Sequence, residues 1–437
     1  MTKAEYMELL RKNLERFSKE LQEEILEDYS QHFAEGEKQG KTDEEIIQEL
    51  GNIDEMIQGL SEVDGENTRG PAASKQVDKE KRYQYSGEYK AVELECDVAD
   101  IELEPSEDGQ IHVDYELDGS EDFCRRFNFY QREEGGVLYA GLNGGDWSSR
   151  RFFGIDVNIR WNGNKTYSSR FGGFGREGGS AVLKVKVPEK LPRLVFTTGS
   201  GNVHADGLAV GAICGHVGSG DLSADGLSVN SLEIHTGSGE MELRNVSSVE
   251  ADVFTGSGNL RAEKLEGRRV KLSAASGDLI AAYIKAKELE ATSASGDVDL
   301  KKVKTVSGQL SAASGDVNVQ EVQAQTLTAT SASGDVKIRT IHAEMESCRC
   351  QTASGDVELS FTGPVKWIDA ITVSGDIRLD LEGAEGMEAN VDAKIGDVKI
   401  SWRGERSRMR QGVYRYGDGS CKVNAKTHAG DIDIVGR

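Results

Sequence analysis

Two hydrophobic periods divide the chain. Up to about residue 60, apolar side chains recur at helical spacing: Tyr6, Leu10, Leu14 and Phe17, then Leu21, Ile25, Tyr29 and Phe33. Thr2 with Glu5, and Thr42 with Glu45, have the spacing of helix capping boxes. Ile46, Ile47 and Leu50 carry a third helix, and a short fourth restarts after Gly51 with Ile53 and Met56 on it. Residues 61–82 hold almost no apolar side chain and read as a flexible linker. From Tyr83 onward the period is two. "YKAVELECDVADIELEP" and "AVLKVKVPEKLPRLVF" alternate apolar and polar residues, as half-buried strands do. The pattern predicts no helix beyond this point.

A repeat lies over the second period. Gly201, Gly220, Gly239, Gly258, Gly277, Gly296, Gly315 and Gly334 each stand 19 residues after the one before, and Gly355, Gly375, Gly396 and Gly430 follow at steps of 21, 20, 21 and 34. Two residues after each glycine the side chain is always apolar, from Val203 and Leu222 through Val317 to Ile432. Four residues after, it is apolar again, from Ala205 and Ala224 through Val319 to Ile434. Only 37% of the chain is apolar, so columns this pure mark a buried stack. The +2, +4 spacing is one face of a strand. The predicted fold is therefore mainly β: a parallel β-helix, or β-solenoid, with coils of about 19 residues, preceded by a small all-α domain. Adjacent coils lie about 4.8 Å apart, so twelve make a rod of about 60 Å. The expected domains are a helical unit at 1–60, a linker at 61–82, and a solenoid at 83–437. Within the solenoid, 83–197 is read as the N-terminal cap and insert region, 198–400 as regular coils and 401–437 as the C-terminal cap. The recurring Ser-Gly-Asp is the corner of a coil. Its glycine is expected to take a positive φ, and its Ser and Asp to bond local backbone groups.

Charge narrows the function. The net charge is −23, whereas direct nucleic-acid binding needs a basic footprint. The first 60 residues are themselves acidic, 16 carboxylates against 7 basic groups, net −9. The N-terminus lacks the apolar core of a signal peptide, and no run approaches the roughly 18 apolar residues of a membrane helix, so the expected location is cytoplasmic. The six scattered cysteines fit neither a CxxC pair nor a zinc spacing and are expected to be reduced.

Candidate chemistry is sparse. Asp278, Asp297, Asp316, Asp335 and Asp356 occupy successive coils, with Asp376 and Asp397 beyond them, and a ladder of carboxylates could attract Ca²⁺. The simpler reading is turn chemistry, and the pattern is not the G-G-x-G-x-D calcium repeat, so neither metal nor cofactor is assigned. Cys348 and Cys350 fall in core columns, whereas Cys214 has outward parity. The histidines form no metal spacing, and a serine repeated in every coil is no unique nucleophile. One stretch, 141–180, breaks the pattern with six basic and three acidic residues. Its Arg150, Arg151, Phe152, Phe153, Trp161 and Phe171 have the composition of an interface, or of a hairpin packed on the side of the solenoid. A second basic insert fills 401–419. In the helical unit, Tyr29, Phe33, Ile53 and Met56 exceed what a 60-residue bundle can bury and are the candidate partner-binding residues.

Two resemblances add context. "TGSGNV" at 198–203, the later S-G-D-V repeats and the closing "THAGDIDIV" make 83–437 similar to the putative adhesin family of bacterial β-solenoid domains. That likeness implies a parallel β-helix with no recognised catalytic residues. "MTKAEYMELLRKNLERF", "ILEDYSQHF" and "TDEEIIQELGNIDEMI" resemble the HAAS-type helical signalling domain. This implies a protein partner, such as a PadR-type regulatory system or a membrane-associated protein. The combined reading is a non-enzymatic scaffold in bacterial signalling or envelope-stress regulation. An adhesin-like surface or carbohydrate-binding protein, and a rod self-associating through its ends, are the alternatives.

Overall fold

The computed structural model describes residues 3–14, Leu26, 78–144, 179–340 and 344–437. Lys3–Leu14 is an α-helix, and Tyr6, Leu10 and Leu14 on its apolar stripe are buried. From Glu80 to the C-terminus the described strands form a parallel β-solenoid. Leu279 pairs with Val298, Val298 with Val317 and Val317 with Val336, so each coil lies in register on the next. No residue of the two apolar columns is more than 4% exposed. They are the core, filled by small and medium aliphatics that repeat from coil to coil.

The glycine corner meets the expectation in three coils and departs from it in the rest: Gly375, Gly396 and Gly430 have a φ of 149–152°, whereas from Gly201 to Gly355 no corner glycine has a positive φ. What excludes a side chain is clearance. A Cβ added to Gly239, Gly258 or Gly277 would stand 1.8, 1.9 or 2.0 Å from the carbonyl oxygen of the glycine one coil earlier. The positive φ falls six residues later, at a second bend. Gly207 and Gly226 hold it first, followed by Asn245, Lys264, Tyr283, Lys302 and Glu321 with φ of 51–58°. A left-handed non-glycine residue costs about 1–2 kcal/mol. Here the column gains a contact in return: the Lys302 ammonium sits 4.6 Å from the centre of the Tyr283 ring and donates to its hydroxyl.

At both ends, order in sequence and order in the stack diverge. Ala91–Cys96 and Asp100–Pro105 form a coil beside Arg193–Thr198 and Val203–Asp206. Outside it lie Val137–Gly144 and Ser180–Val187, still parallel. Antiparallel strands then cover these: Phe127–Glu134 on the first, Ile111–Asp118 on the second, and Glu80–Tyr85 on Ile111–Asp118. The strand Glu80–Tyr85 thus begins within the stretch read as linker, and the Leu117 N–H donates to the Lys79 carbonyl. One helical turn, Glu121–Cys124, interrupts the strands; Ser120 caps it by accepting the Phe123 N–H.

The C-terminal end mirrors this arrangement. Cys421–Ala429 and Ile432–Gly436, last in sequence, lie between the Gly375 coil and the strands Met387–Ile395 and Val398–Trp402. The 34-residue step is the detour through Glu405–Met409 and Gly412–Tyr416, which run antiparallel along the outermost strands. Among the described residues this pair of strands covers the end, and 421–436 is an interior coil. Asn424 is bonded on both sides of its strand, donating to Asp369 at 2.7 Å and accepting from Asn390 at 3.2 Å.

Val317 is fully buried, with Val298 and Val336 as its partners in the adjacent coils. Val317→Asp places an unpaired charge in the stack and is expected to cost at least about 3 kcal/mol. An unchanged melting temperature by circular dichroism would show that the column is not the core.

Candidate functional site

The residue after each corner glycine points its side chain along the stack. Asp278 Oδ1 accepts the backbone N–H of Asp297 at 3.0 Å, Asp297 that of Asp316 at 2.8 Å, and Asp316 that of Asp335 at 2.8 Å. Asp335 accepts from Asp356, Asp356 from Asp376, Asp376 from Asp431 and Asp431 from Asp397. The ladder therefore follows stack order rather than chain order. It starts at Asp100, which accepts from Asn202, and Asn202 and Asn259 supply amide oxygens for the same bond. These bonds join coils; they are not local turn bonds. The candidate metal ligands Asp278, Asp297, Asp316, Asp335 and Asp356 are thus brought into one row, each with an oxygen committed to the next coil.

Three residues before the glycine, a second column carries hydroxyls. Ser293 Oγ accepts the Gly296 N–H and donates to the Gly277 carbonyl, both at 2.9 Å, and Ser331 does the same between Gly334 and Gly315. Thr352, Thr372 and Thr427 donate to the corner carbonyl of the preceding coil in the stack. These side chains are buried. A group that accepts and donates in this way is spent, and it has no base beside it to make it a nucleophile.

The electrostatics of the row are those of a supported ladder. In water, unit charges about 4.8 Å apart repel by roughly 0.9 kcal/mol. Against this, each rung is a charge-assisted hydrogen bond. The Lys337 ammonium, with the Asp356 N–H, holds the Asp335 carboxyl below the ordinary carboxylate range. The Asp397 N–H and then Lys399 do the same for Asp431. Among the described residues, no three His, Cys, Asp or Glu side chains are placed to hold a metal ion.

The thiols are free. Cys348 and Cys350 are buried with their sulfurs 3.7 Å apart, and burial pushes Cys350 well above the usual thiol range. Cys214 is half-buried and its thiol is also raised, chiefly by burial, the opposite of activation. The remaining candidates, Tyr29, Phe33, Ile53, Met56, Arg150, Arg151, Phe152, Phe153, Trp161 and Phe171, lie outside the described residues.

Two grooves run along the coils. One, about 370 Å³, lies on the Asp side and is lined by Asp100, Glu102, Asp221, Glu240, Glu242 and Arg261 among others. Glu240 and Glu242 are already paired there, with Arg261 and Arg244. The other, about 590 Å³, lies past the second bend, with Lys285, Lys287 and Lys304 around a floor of small residues. Sequence reading missed it, because its rows are exposed and vary from coil to coil.

A family model described as Toastrack DUF4097 matches residues 89–301 and again 270–435, together most of the chain. The chain belongs to the Toastrack DUF4097 family. The two matches overlap over 270–301, as expected where successive coils are self-similar. A second model, HAAS, matches residues 5–59 ahead of the Toastrack solenoid. Solved structures are similar to this chain, three of them as follows. A putative cell adhesion protein from Clostridium sporogenes is 10% identical, covers 82% of this chain and 99% of its own, and has a TM-score of 0.22. A putative adhesin from Bacteroides fragilis is 13% identical, with 84% and 100% covered and a TM-score of 0.21. A putative lipid binding protein from Parabacteroides distasonis is 14% identical, with 82% and 97% covered and a TM-score of 0.28. No curated protein matches the chain. Among the described residues of this Toastrack protein, no helix is long and apolar enough to cross a membrane.

The ladder makes two predictions. Asp316→Ala removes one rung and is expected to cost about 1 kcal/mol in denaturant unfolding. Asp316→Asn keeps an oxygen in place, as Asn202 and Asn259 do, and is expected to stay near wild type; equal losses from both would rule out the rung.

The second concerns acid and calcium. Depressed folded values at Asp335 and Asp431 contribute stability that is full above about pH 4, the ordinary aspartate range. It is lost as pH falls through their folded values. Melting temperature should therefore drop below about pH 4, and millimolar Ca²⁺ at pH 7 should not raise it. A calcium-dependent rise would make the Asp row a metal site.

Proposed function

We propose that this protein is a non-enzymatic interaction scaffold in bacterial signalling, in which the HAAS segment binds a protein partner and the Toastrack solenoid serves as the rigid platform. The observation that carries this reading is the ladder. The Asp after the corner glycine and the buried Ser or Thr three residues before it, as at Ser293 and Ser331, are engaged in coil-to-coil bonds, so repetition here builds a support and not a reactive centre. The HAAS match at 5–59 supports a partner-binding role for the helical segment. A PadR-type regulatory system or a membrane-associated protein is the partner class that this likeness suggests, and the cytoplasm is the location that goes with it. The apolar residues Tyr29, Phe33, Ile53 and Met56 are assigned to that contact.

The test is cleavage between the two parts. Limited proteolysis within 61–77 should release a fragment beginning near Asp78 whose melting temperature equals that of the whole chain. The two fragments should separate in size-exclusion chromatography at moderate salt, and the 1–60 fragment should retain the partner in pull-down. Fragments that stay together, or a solenoid that melts earlier once cut, would overturn the platform reading. Depolymerisation of polysaccharides by the purified protein would overturn the non-enzymatic one.

A further inference from the structure

The groove of about 590 Å³ is built from three adjacent rows of the solenoid. Its floor is the row Ser248, Gly267, Ala286, Thr305 and Ala324, small residues throughout. In the two coils before it, Val210 and Val229 hold the same row. On one side of the floor stand Glu266, Lys285, Lys304 and Gln323, and on the other Lys287, Val306 and Gln325; Ser247 and Glu344 complete the lining, so three ammonium groups face two carboxylates there. Lys285 is paired with Glu266. Lys287 and Lys304 are exposed, and their ammonium groups have no ion-pair partner among the described residues. Val306 is 46% exposed. A protein of net charge −23 thus displays unpaired cations on both sides of a small, largely apolar trough.

The spacing points to one kind of occupant. The floor crosses five coils, about 19 Å along the stack. Lys285 and Lys304 are in register one coil apart, about 4.8 Å. An α-helix laid along the stack presents side chains at i and i+3 about 4.5 Å apart, and about 13 residues cover 19 Å. An extended strand repeats on one face at nearly 7 Å and falls out of step. Small floor residues allow a helix to approach closely, and cations on both sides suit an apolar stripe flanked on both sides by carboxylates. We propose that this groove is a docking site for an acidic amphipathic helix of a protein partner, with Lys285, Lys287 and Lys304 meeting its carboxylates and Val306 and the floor meeting its apolar stripe. This deepens the platform reading by giving the platform a contact surface and the partner a chemistry.

The test uses the full chain and a labelled helical peptide of about 16 residues, with Leu at i, i+3, i+4 and i+7 and Glu on both flanks. Fluorescence anisotropy should show saturable binding that weakens with salt. The same peptide with Lys in place of Glu should not bind. Lys287→Glu with Lys304→Glu should weaken binding at least about tenfold, and Val306→Asp should weaken it measurably; all three sites are exposed, and an unchanged melting temperature confirms folding. Lys426→Glu, outside the groove, should leave it unchanged. No binding of the acidic peptide, equal binding of the basic one, or wild-type affinity in the Lys287→Glu, Lys304→Glu protein would each overturn the site. The result is independent of linker cleavage, so the groove can fail while the two-part reading stands.

Discussion

The solenoid depends on a contact between two glycines. At each corner the carbonyl oxygen of one glycine occupies the space where the next coil would carry a Cβ, within about 2 Å for most of the stack. Any other residue would push the coils apart at that edge. With glycine there, the coils close to strand-pairing distance, and a short side chain on the following residue reaches the next backbone N–H at 2.7–3.0 Å. Where a buried Ser stands three residues earlier, as at Ser293 and Ser331, its hydroxyl spans the same junction. The 19-residue step recurs because it brings the clearance, the rung and both apolar columns back together; the longer steps to Gly355 and Gly375 keep all three, so their extra residues are taken up away from the corner.

Rung length explains the choice of Asp and Asn. At Glu240, one methylene longer, no bond to the Asn259 N–H forms, and the carboxylate pairs with Arg261 instead. The row of charges from Asp278 on is tolerated because each but the last is held by a backbone donor, with Lys337 and Lys399 relieving two of them, and Asp397 at the end pairs with Arg408. The row therefore tightens the corner at neutral pH and weakens it in acid.

The core columns were readable because burial admits one class of residue at +2 and +4, in every coil. The corner glycine was visible but its reason was not: a glycine is equally consistent with positive φ and with lack of clearance, and only the neighbouring coil decides. The left-handed bend left a weak trace in Gly207, Gly226 and Asn245 before Lys264 and Tyr283 obscured it. The lysine groove left none, since its rows carry Glu266, Lys285, Lys304 and Gln323 in successive coils and no column rule applies. The turn at Glu121–Cys124 is too short to show a helical period. Stack order was hidden for another reason. The step of 34 announced an insertion, but which coil the last strands join is set by contacts across the stack, such as Asn424 between Asp369 and Asn390.

That reordering solves a problem every parallel stack has at its ends. A terminal coil exposes a row of unpaired N–H and C=O groups that invites another chain to add on. Here the chain builds an inner coil and an outer coil at each end and uses the connection between them to lay antiparallel strands over the outer one. Among the described residues, the strands at the edge carry Lys81 and Arg82 at one end and Arg408 and Arg415 at the other. Charged, short edge strands disfavour end-to-end addition. The antiparallel strands and their charges thus do at the two ends what the next coil does inside the stack: they occupy or guard the backbone groups of the outermost parallel strands.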